Sequence, residues 1–403
     1  MKKILALVLA LALCLTAVAA IAEAPAISEN FKIGIILLHD EKSTYDYNFK
    51  AAIEQAAAEL GLSEEQVIIY PNIAESEACT DTALDLVDQG CKVVFADSFG
   101  HETYLLDAAK QCPDVQFCHA TGTSAHLENQ PNFHNAFASI YEGRYLVGVA
   151  AGMKLNEMKA AGQLKGEVPM MGYVGAFTYA EIISGYTSFY LGAKSVCPDV
   201  QMMVQFSGDW SNEMEEKTAA EALIAAGCDL MSQHADSMGV PTACENAGIP
   251  DIAYNMSTKE TCPNTYITAS RIDWVPYFKY IIEQTDKGEP IDIDWAGDMA
   301  FGSVTYTEVN EAVAAEGTAA KLEEVKAGLL DGSIHVFDTE TEGFITVDGQ
   351  PLPEDWKPGE GTDAAFVEGT KIVYDGYFHE SEYRSAPYFD MTIDGITLLN
   401  QAY

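Results

Sequence analysis

The chain has 403 residues, 61 of them acidic and 22 basic, for a formal net charge of −39 near neutral pH. Such a surface repels phosphate backbones and anionic lipid, which excludes nucleic acid as a partner and points to a neutral or cationic ligand. The length allows a large buried core and exceeds the usual size of a single domain.

Met1-Lys2-Lys3, an apolar run over 4–18 and a small-residue stretch ending Ala20-Ile21-Ala22 have the three parts of a secretory signal peptide, with cleavage expected after Ala22. The run is short for a membrane anchor and its C-terminal flank is rich in alanine. Cys14 follows a bulky Leu13, which fits a lipoprotein signal badly, so the expectation is an exported chain not lipidated at Cys14. Eight further cysteines remain: Cys79, Cys91, Cys112, Cys118, Cys197, Cys228, Cys244 and Cys262. Their even number permits disulfides, and their place inside apolar runs fits small buried hydrophobes equally well. There is no C-x-x-C pair to suggest a zinc ribbon or a thioredoxin-type site.

From Phe31 onward short apolar runs alternate with amphipathic stretches, the pattern of β/α units wound on a parallel sheet. Strands are predicted over 32–38, 66–70, 93–96, 116–120, 171–174, 201–206, 229–233 and 252–254. Helices are predicted over 47–60, 78–89, 103–111, 142–155, 180–196 and 212–226, from apolar residues at three- and four-residue spacing. Gly61, Gly90 and Gly227 stand where left-handed helix ends are expected. A strand, a polar or aromatic loop and a helix open the segment at 32–60, and a comparable unit restarts at 171–196. Two α/β lobes follow, with a ligand crevice at the carboxyl ends of their strands. After about Asp338 the sequence turns to loops and short strands with a late aromatic cluster, a tail packed on the lobes.

The motifs of serine hydrolases, zinc proteases, P-loop NTPases and dinucleotide enzymes are absent. Asp338-Thr-Glu-Thr-Glu-Gly343 resembles the start of a calcium loop but lacks its closing Glu, and reads as a solvated turn. Asp292 and Asp294 share one side of a possible strand and read as surface acidity. His234 and Asp236 suit hydrogen bonding to a ligand's polar edge better than metal binding, since no further His or Cys stands at ligand spacing. Neither a metal nor a cofactor is expected, and neither is catalysis. The residues just after predicted strands form the candidate site: Asp40, Tyr45, Phe99, Gly100, Thr121, Phe177, Trp210, His234, Asp236 and Asn255. Aromatic rings offer flat apolar faces, while carboxylates and amides pair with a heterocycle's edge or a ribose.

Several stretches resemble the basic membrane protein family of ABC-importer binding proteins, the group that includes purine nucleoside receptors. They are Asp40 with Thr44 and Tyr45, Phe95-Ala-Asp-Ser-Phe-Gly100, Pro113-Asp-Val-Gln-Phe117 leading to His119-Ala-Thr-Gly122, and Tyr141-Glu-Gly-Arg-Tyr-Leu-Val-Gly148. The resemblance continues through Gly172-Tyr-Val-Gly-Ala-Phe177, Gly192-Ala-Lys-Ser-Val196, Ala220-Glu-Ala-Leu-Ile224 and Gln233-His-Ala-Asp-Ser237, and covers about residues 31–337. It implies a type I periplasmic-binding-protein fold: two Rossmann-like lobes joined by crossovers at a hinge, with the ligand cleft between them. The implied division is 31–140 plus 268–300 for the N-terminal lobe and 141–267 plus 301–337 for the C-terminal lobe, with 338–403 as the tail. It also implies a purine base or nucleoside stacked between rings, with Asp40 and Asp236 as carboxylates of the two lobes, Phe177 as the second-lobe aromatic, and Asp273 with Trp274 near a polar and aromatic pair. Ser43 stands where relatives carry an aromatic, so Tyr45 or Tyr47 must supply that face. The implied partners are an ABC permease and its ATPase, with the receptor itself a monomer. A ligand sensor for a membrane receptor, or an exported nucleosidase-like hydrolase, are the competing readings.

Overall fold

A computed structural model describes residues 27–353, 356 and 370–403; the signal-peptide expectation and Cys14 lie outside them. In the first sheet β1 (Ile33–Ile36) is an interior strand, buried on both faces, and its residues Ile-Gly-Ile-Ile show the continuous apolar run of a strand covered by helices. Helix α1 (Thr44–Leu60) begins where the Ser43 side chain accepts from the Asp46 amide and ends at Gly61, whose φ of 74° only glycine adopts freely. Then follow β2 (Val67–Tyr70), α2 (Glu77–Asp88), β3 (Val93–Ala96), α3 (Glu102–Gln111), β4 (Gln116–Ala120), the single turn α4 (Ala125–Glu128) and β5 (Phe133–Ala138).

The second unit starts with the long helix α5 (Ile140–Ala160), then β6 (Met170–Gly175), α6 (Ala180–Val196), β7 (Gln201–Phe206), α7 (Glu213–Ala225), β8 (Leu230–His234), α8 (Gly239–Ala247), β9 (Asp251–Tyr254) and β10 (Tyr266–Ile272). Helix α9 (Val275–Lys287) packs on α1 and leads to β11 (Asp294–Gly297); β12 (Val304–Tyr306) and α10 (Thr318–Leu330) follow. Two small ribbons, β13 (Thr346–Val347) with β14 (Gln350–Pro351) and β15 (Val373–Tyr374) with β16 (Tyr377–Phe378), precede the last strand, β17 (Ile396–Leu398).

The two sheets run in the orders β11-β5-β4-β3-β1-β2 and β12-β10-β9-β8-β6-β7-β17. The first is parallel throughout; in the second only β12 runs antiparallel, against β10. The chain crosses between them three times, after β5, after β10 and after β11. The division drawn from the resemblance needs two corrections. All of β10 belongs to the second sheet, so the return comes after Ile272 rather than at 268, because Tyr266–Ile272 pairs with β9 on one side and β12 on the other. The tail also does more than pack on the lobes, because Ile396, Thr397 and Leu398 pair with Met202, Met203 and Val204 as an added parallel strand.

The eight cysteines among the described residues are free thiols, all buried but Cys112. Burial pushes the Cys79 and Cys118 thiols up to about 12, as expected of small core hydrophobes. Asp338 accepts from the Glu340 and Thr341 amides, the solvated turn expected there. No described helix is long and apolar enough to cross a membrane.

Candidate functional site

The carboxyl ends of β1, β3, β4, β6, β7 and β8 face one another across the interlobe crevice, where they line a narrow cleft. From the first lobe it is lined by Leu38, His39, Tyr45, Asp46, Ser98, Phe99 and Thr121, and from the second by Glu181, Trp210, His234 and Asp236. Of the candidate residues, Tyr45, Phe99, Thr121, Trp210, His234 and Asp236 therefore come together. The lobes are closed on each other: the Thr44 amide at the start of α1 donates to the Asp236 carbonyl at 2.8 Å, and Phe99 meets Tyr179 with ring centroids 5.4 Å apart.

The first-lobe wall is set by hydrogen bonds. Asp46, buried in the first turn of α1, accepts from the His39 amide at 2.7 Å and the Ser43 hydroxyl at 2.5 Å, with His39 Nδ1 at 3.4 Å. Burial opposes its ionisation, but these donors win and hold the carboxyl below its ordinary value, while the same carboxylate draws the His39 pKa upward against burial. The Tyr45 hydroxyl donates to the Asp97 carbonyl at 2.9 Å, which fixes the ring edge to β3. Asp97 is wholly buried behind the wall; burial, and then the nearby Asp46 charge, push its pKa far up. Thr121 sits at φ 66°, a strained position for a β-branched residue, with its hydroxyl unpartnered.

On the second-lobe wall Glu181, in the first turn of α6, lies 3.3 Å from His234 Nε2. Burial raises the Glu181 carboxyl to about 7 and drives the His234 pKa well down, helped there by the Arg144 charge, so both groups are pushed toward their neutral forms. Asp236 is pushed far up by burial and then by Glu216, Asp46 and Glu181. Its Oδ1, like His234 Nδ1, has no hydrogen-bond partner within the protein, and both residues line the cleft. Arg144 is wholly buried on α5 with its guanidinium 3.6 Å above the Tyr254 ring and one bond, to the Gln233 carbonyl.

The other candidates fall elsewhere. Asp40 is a correction: it caps a turn by accepting from the Lys42 amide, and the carboxylate in the wall is Asp46. The Gly100 amide is taken by Glu75. Phe177 stands one ring back, stacked on Tyr179 at 5.2 Å and edge-on to Trp210 at 5.1 Å. Asn255, at φ 60°, spends its Oδ1 on the Ile272 amide near a crossover. Asp273 accepts from the Val275 amide at the start of α9. Trp274 is a core residue, fully buried against Phe49 at 4.5 Å. Tyr47 points outward, so of the two tyrosines only Tyr45 reaches the cleft. Asp46, Glu181 and Arg144 are the residues that sequence reasoning missed. The signal for Asp46 and Glu181 was a carboxylate in a helix's first turn just after a strand; for Arg144 it was a cation amid an apolar helix. Among the described residues no group of three or more His, Cys, Asp or Glu could hold a metal ion.

Two parallel-sheet lobes joined by three crossovers, with a cleft between them walled by rings and unpaired polar atoms, have the architecture of the type I periplasmic-binding-protein class. A solved ABC-transporter solute-binding protein from Aeropyrum pernix shares the fold, with a TM-score of 0.62 at 17% identity over 78% of this chain and 94% of its own. Residues 34–333 match the Bmp model, described as ABC transporter substrate-binding protein PnrA-like, and the chain belongs to that family. A protein of Brucella abortus named as purine-binding is 30% identical over 65% of this chain and 72% of its own length. A Haloferax volcanii protein, named as a candidate ABC transporter glucose-binding protein, is 30% identical over 53% of this chain and 49% of its own.

Proposed function

We propose that this receptor captures a purine base or nucleoside in the interlobe cleft, outside the cytoplasm, and delivers it to an ABC permease driven by its ATPase. The observation that carries the reading is the juxtaposition of flat rings from both lobes, Tyr45 and Phe99 against Trp210, with the unpaired Oδ1 of Asp236 and the Glu181–His234 pair. Rings stack a planar heterocycle, and acceptors take its N–H groups. The family description and the Brucella relative's name support the same class. A hexose is the second reading, favoured by the Haloferax relative's name, since carboxylates and ring faces also suit a sugar.

The test is a thermal-shift screen of ligand-stripped, refolded protein against adenine, guanine, xanthine, their nucleosides and glucose. A ligand at 100 times its dissociation constant adds about 2.7 kcal/mol of stability. A shift with purines and none with glucose is the expected result; a shift with glucose alone overturns the purine assignment. Free base appearing on incubation with a nucleoside would instead establish the hydrolase reading.

A further inference from the structure

The family match ends at residue 333, yet the last residues of the chain reach the mouth of the cleft. Beyond β17, the Asn400 side chain brackets the end of β7, its Oδ1 accepting from the Phe206 amide at 2.7 Å and its Nδ2 donating to the Phe206 carbonyl at 2.9 Å. Two residues on, the Ala402 carbonyl accepts from the Thr178 amide at 2.7 Å, and the Ala402 amide donates to Thr178 Oγ1 at 3.0 Å. Thr178 lies between Phe177 and Tyr179, and Phe206 precedes the loop that carries Trp210. These two loops hold the second lobe's rings: Phe177 on Tyr179, Phe177 edge-on to Trp210, and Tyr179 against Phe99 of the other lobe. The Trp210 carbonyl in turn accepts from the Asp236 amide at 2.8 Å.

We infer that residues 400–402 are positioning residues for the aromatic mouth of the cleft, so that the C-terminus of this chain helps set the affinity and residence time of the planar ligand. The inference rests on the reading of the cleft as the ligand site. Loops at sheet ends are held by the bonds their residues make, and here four come from a segment outside the family match, three to backbone groups of Phe206 and Thr178 and one to the Thr178 hydroxyl. Rings fixed before binding carry a smaller ordering penalty on ligand capture than rings free to move.

The full chain is compared with a truncation after Leu399 and with Thr178→Val, which keeps shape but removes one acceptor and leaves the fold intact should the truncation misfold. Hydrogen exchange of the amides over 176–180 and 206–211 is read alongside affinity and dissociation rate for adenine, guanosine and glucose. We expect exchange in both loops to rise at least tenfold in the truncation and more modestly in Thr178→Val, with the core amides of β6 and β8 unchanged. Dissociation of whichever probe the full chain binds should quicken at least tenfold in the truncation. Unchanged exchange overturns the inference, as does unchanged affinity for a probe that the full chain binds. A full chain that binds none of the probes counts against the ligand reading, and the exchange comparison still decides the role of the C-terminus.

Discussion

Asp236 and Trp274 mark the two fates open to a polar or aromatic residue placed just after a strand. Asp236 keeps an unpaired oxygen in the cleft wall, so Asp236→Ala should weaken binding of the cognate purine by about 1–3 kcal/mol, read by calorimetry with ligand-stripped protein. Affinity equal to wild type would remove it from the contact set. Trp274 instead fills the core between Phe49, Phe95, Phe137 and Tyr277. Trp274→Ala should lower unfolding stability by about 3–5 kcal/mol in urea titrations. If it abolished binding while leaving stability intact, the residue would belong to the site after all. The sequence placed Asp236 after a strand and the resemblance added Trp274, and neither could tell them apart, because the difference lies in which way each faces.

At the scale of elements, the second lobe depends on how closely α5 and α6 approach. A Cβ added at Gly148 would run into the Phe189 carbonyl, and one at Gly192 into the Tyr145 carbonyl. Both partners are backbone and cannot swing away, so Gly192→Val should force the helices apart and destabilise the fold by about 1–3 kcal/mol, measurable as a fall in melting temperature. A neutral substitution would show that the contact relaxes. Both glycines stand in stretches that carry the family resemblance, and the close crossing gives them a physical reason. The eight strands read from the sequence all reappear, because each is a short apolar run bounded by turn residues. Strand β5 was overlooked: Phe133-His-Asn-Ala-Phe-Ala138 interrupts its apolar residues with His134 and Asn135, whose side chains are satisfied by Gln116 and by Glu102 and the Ala125 amide only once the lobe is assembled.

For the whole molecule the excess of acid has a consequence in pH. Burial raises Glu142, Glu181, Glu216 and Glu380 to about 7 and Asp251 to about 8. In the folded chain these groups hold protons that the unfolded chain has already released, so their contribution is complete below the ordinary carboxyl values and is lost as pH rises through 7 to 8. Asp46 acts the other way, its lowered value contributing above 3.8 and failing as pH falls through its folded value. The buried histidines His101 and His134, held down at about 4 by burial, act against the carboxyls below the ordinary histidine value, so the carboxyl effect is read as a difference: the melting temperature of Glu142→Gln, away from the cleft, should rise relative to wild type between pH 5 and pH 8. A difference between variant and wild type that does not change with pH would mean that Glu142 is already ionised in the folded chain at pH 5.

The sequence by itself determined the class: alternating β/α units, two lobes and a crevice at the strand ends. Each of these follows from local periodicity and composition, which are written along the chain. The tertiary structure alone decided the membership of the wall. Asp46 replaced Asp40 because α1 turns the residue after Tyr45, and not the loop carboxylate, toward the cleft. Glu181 entered because α6 brings its first turn beside His234 at the end of β8, with Arg144 of α5 buried behind them. The C-terminal strand and the bonds of Asn400 and Ala402 were likewise beyond reach, since pairing between residues some two hundred positions apart leaves no mark in either segment alone.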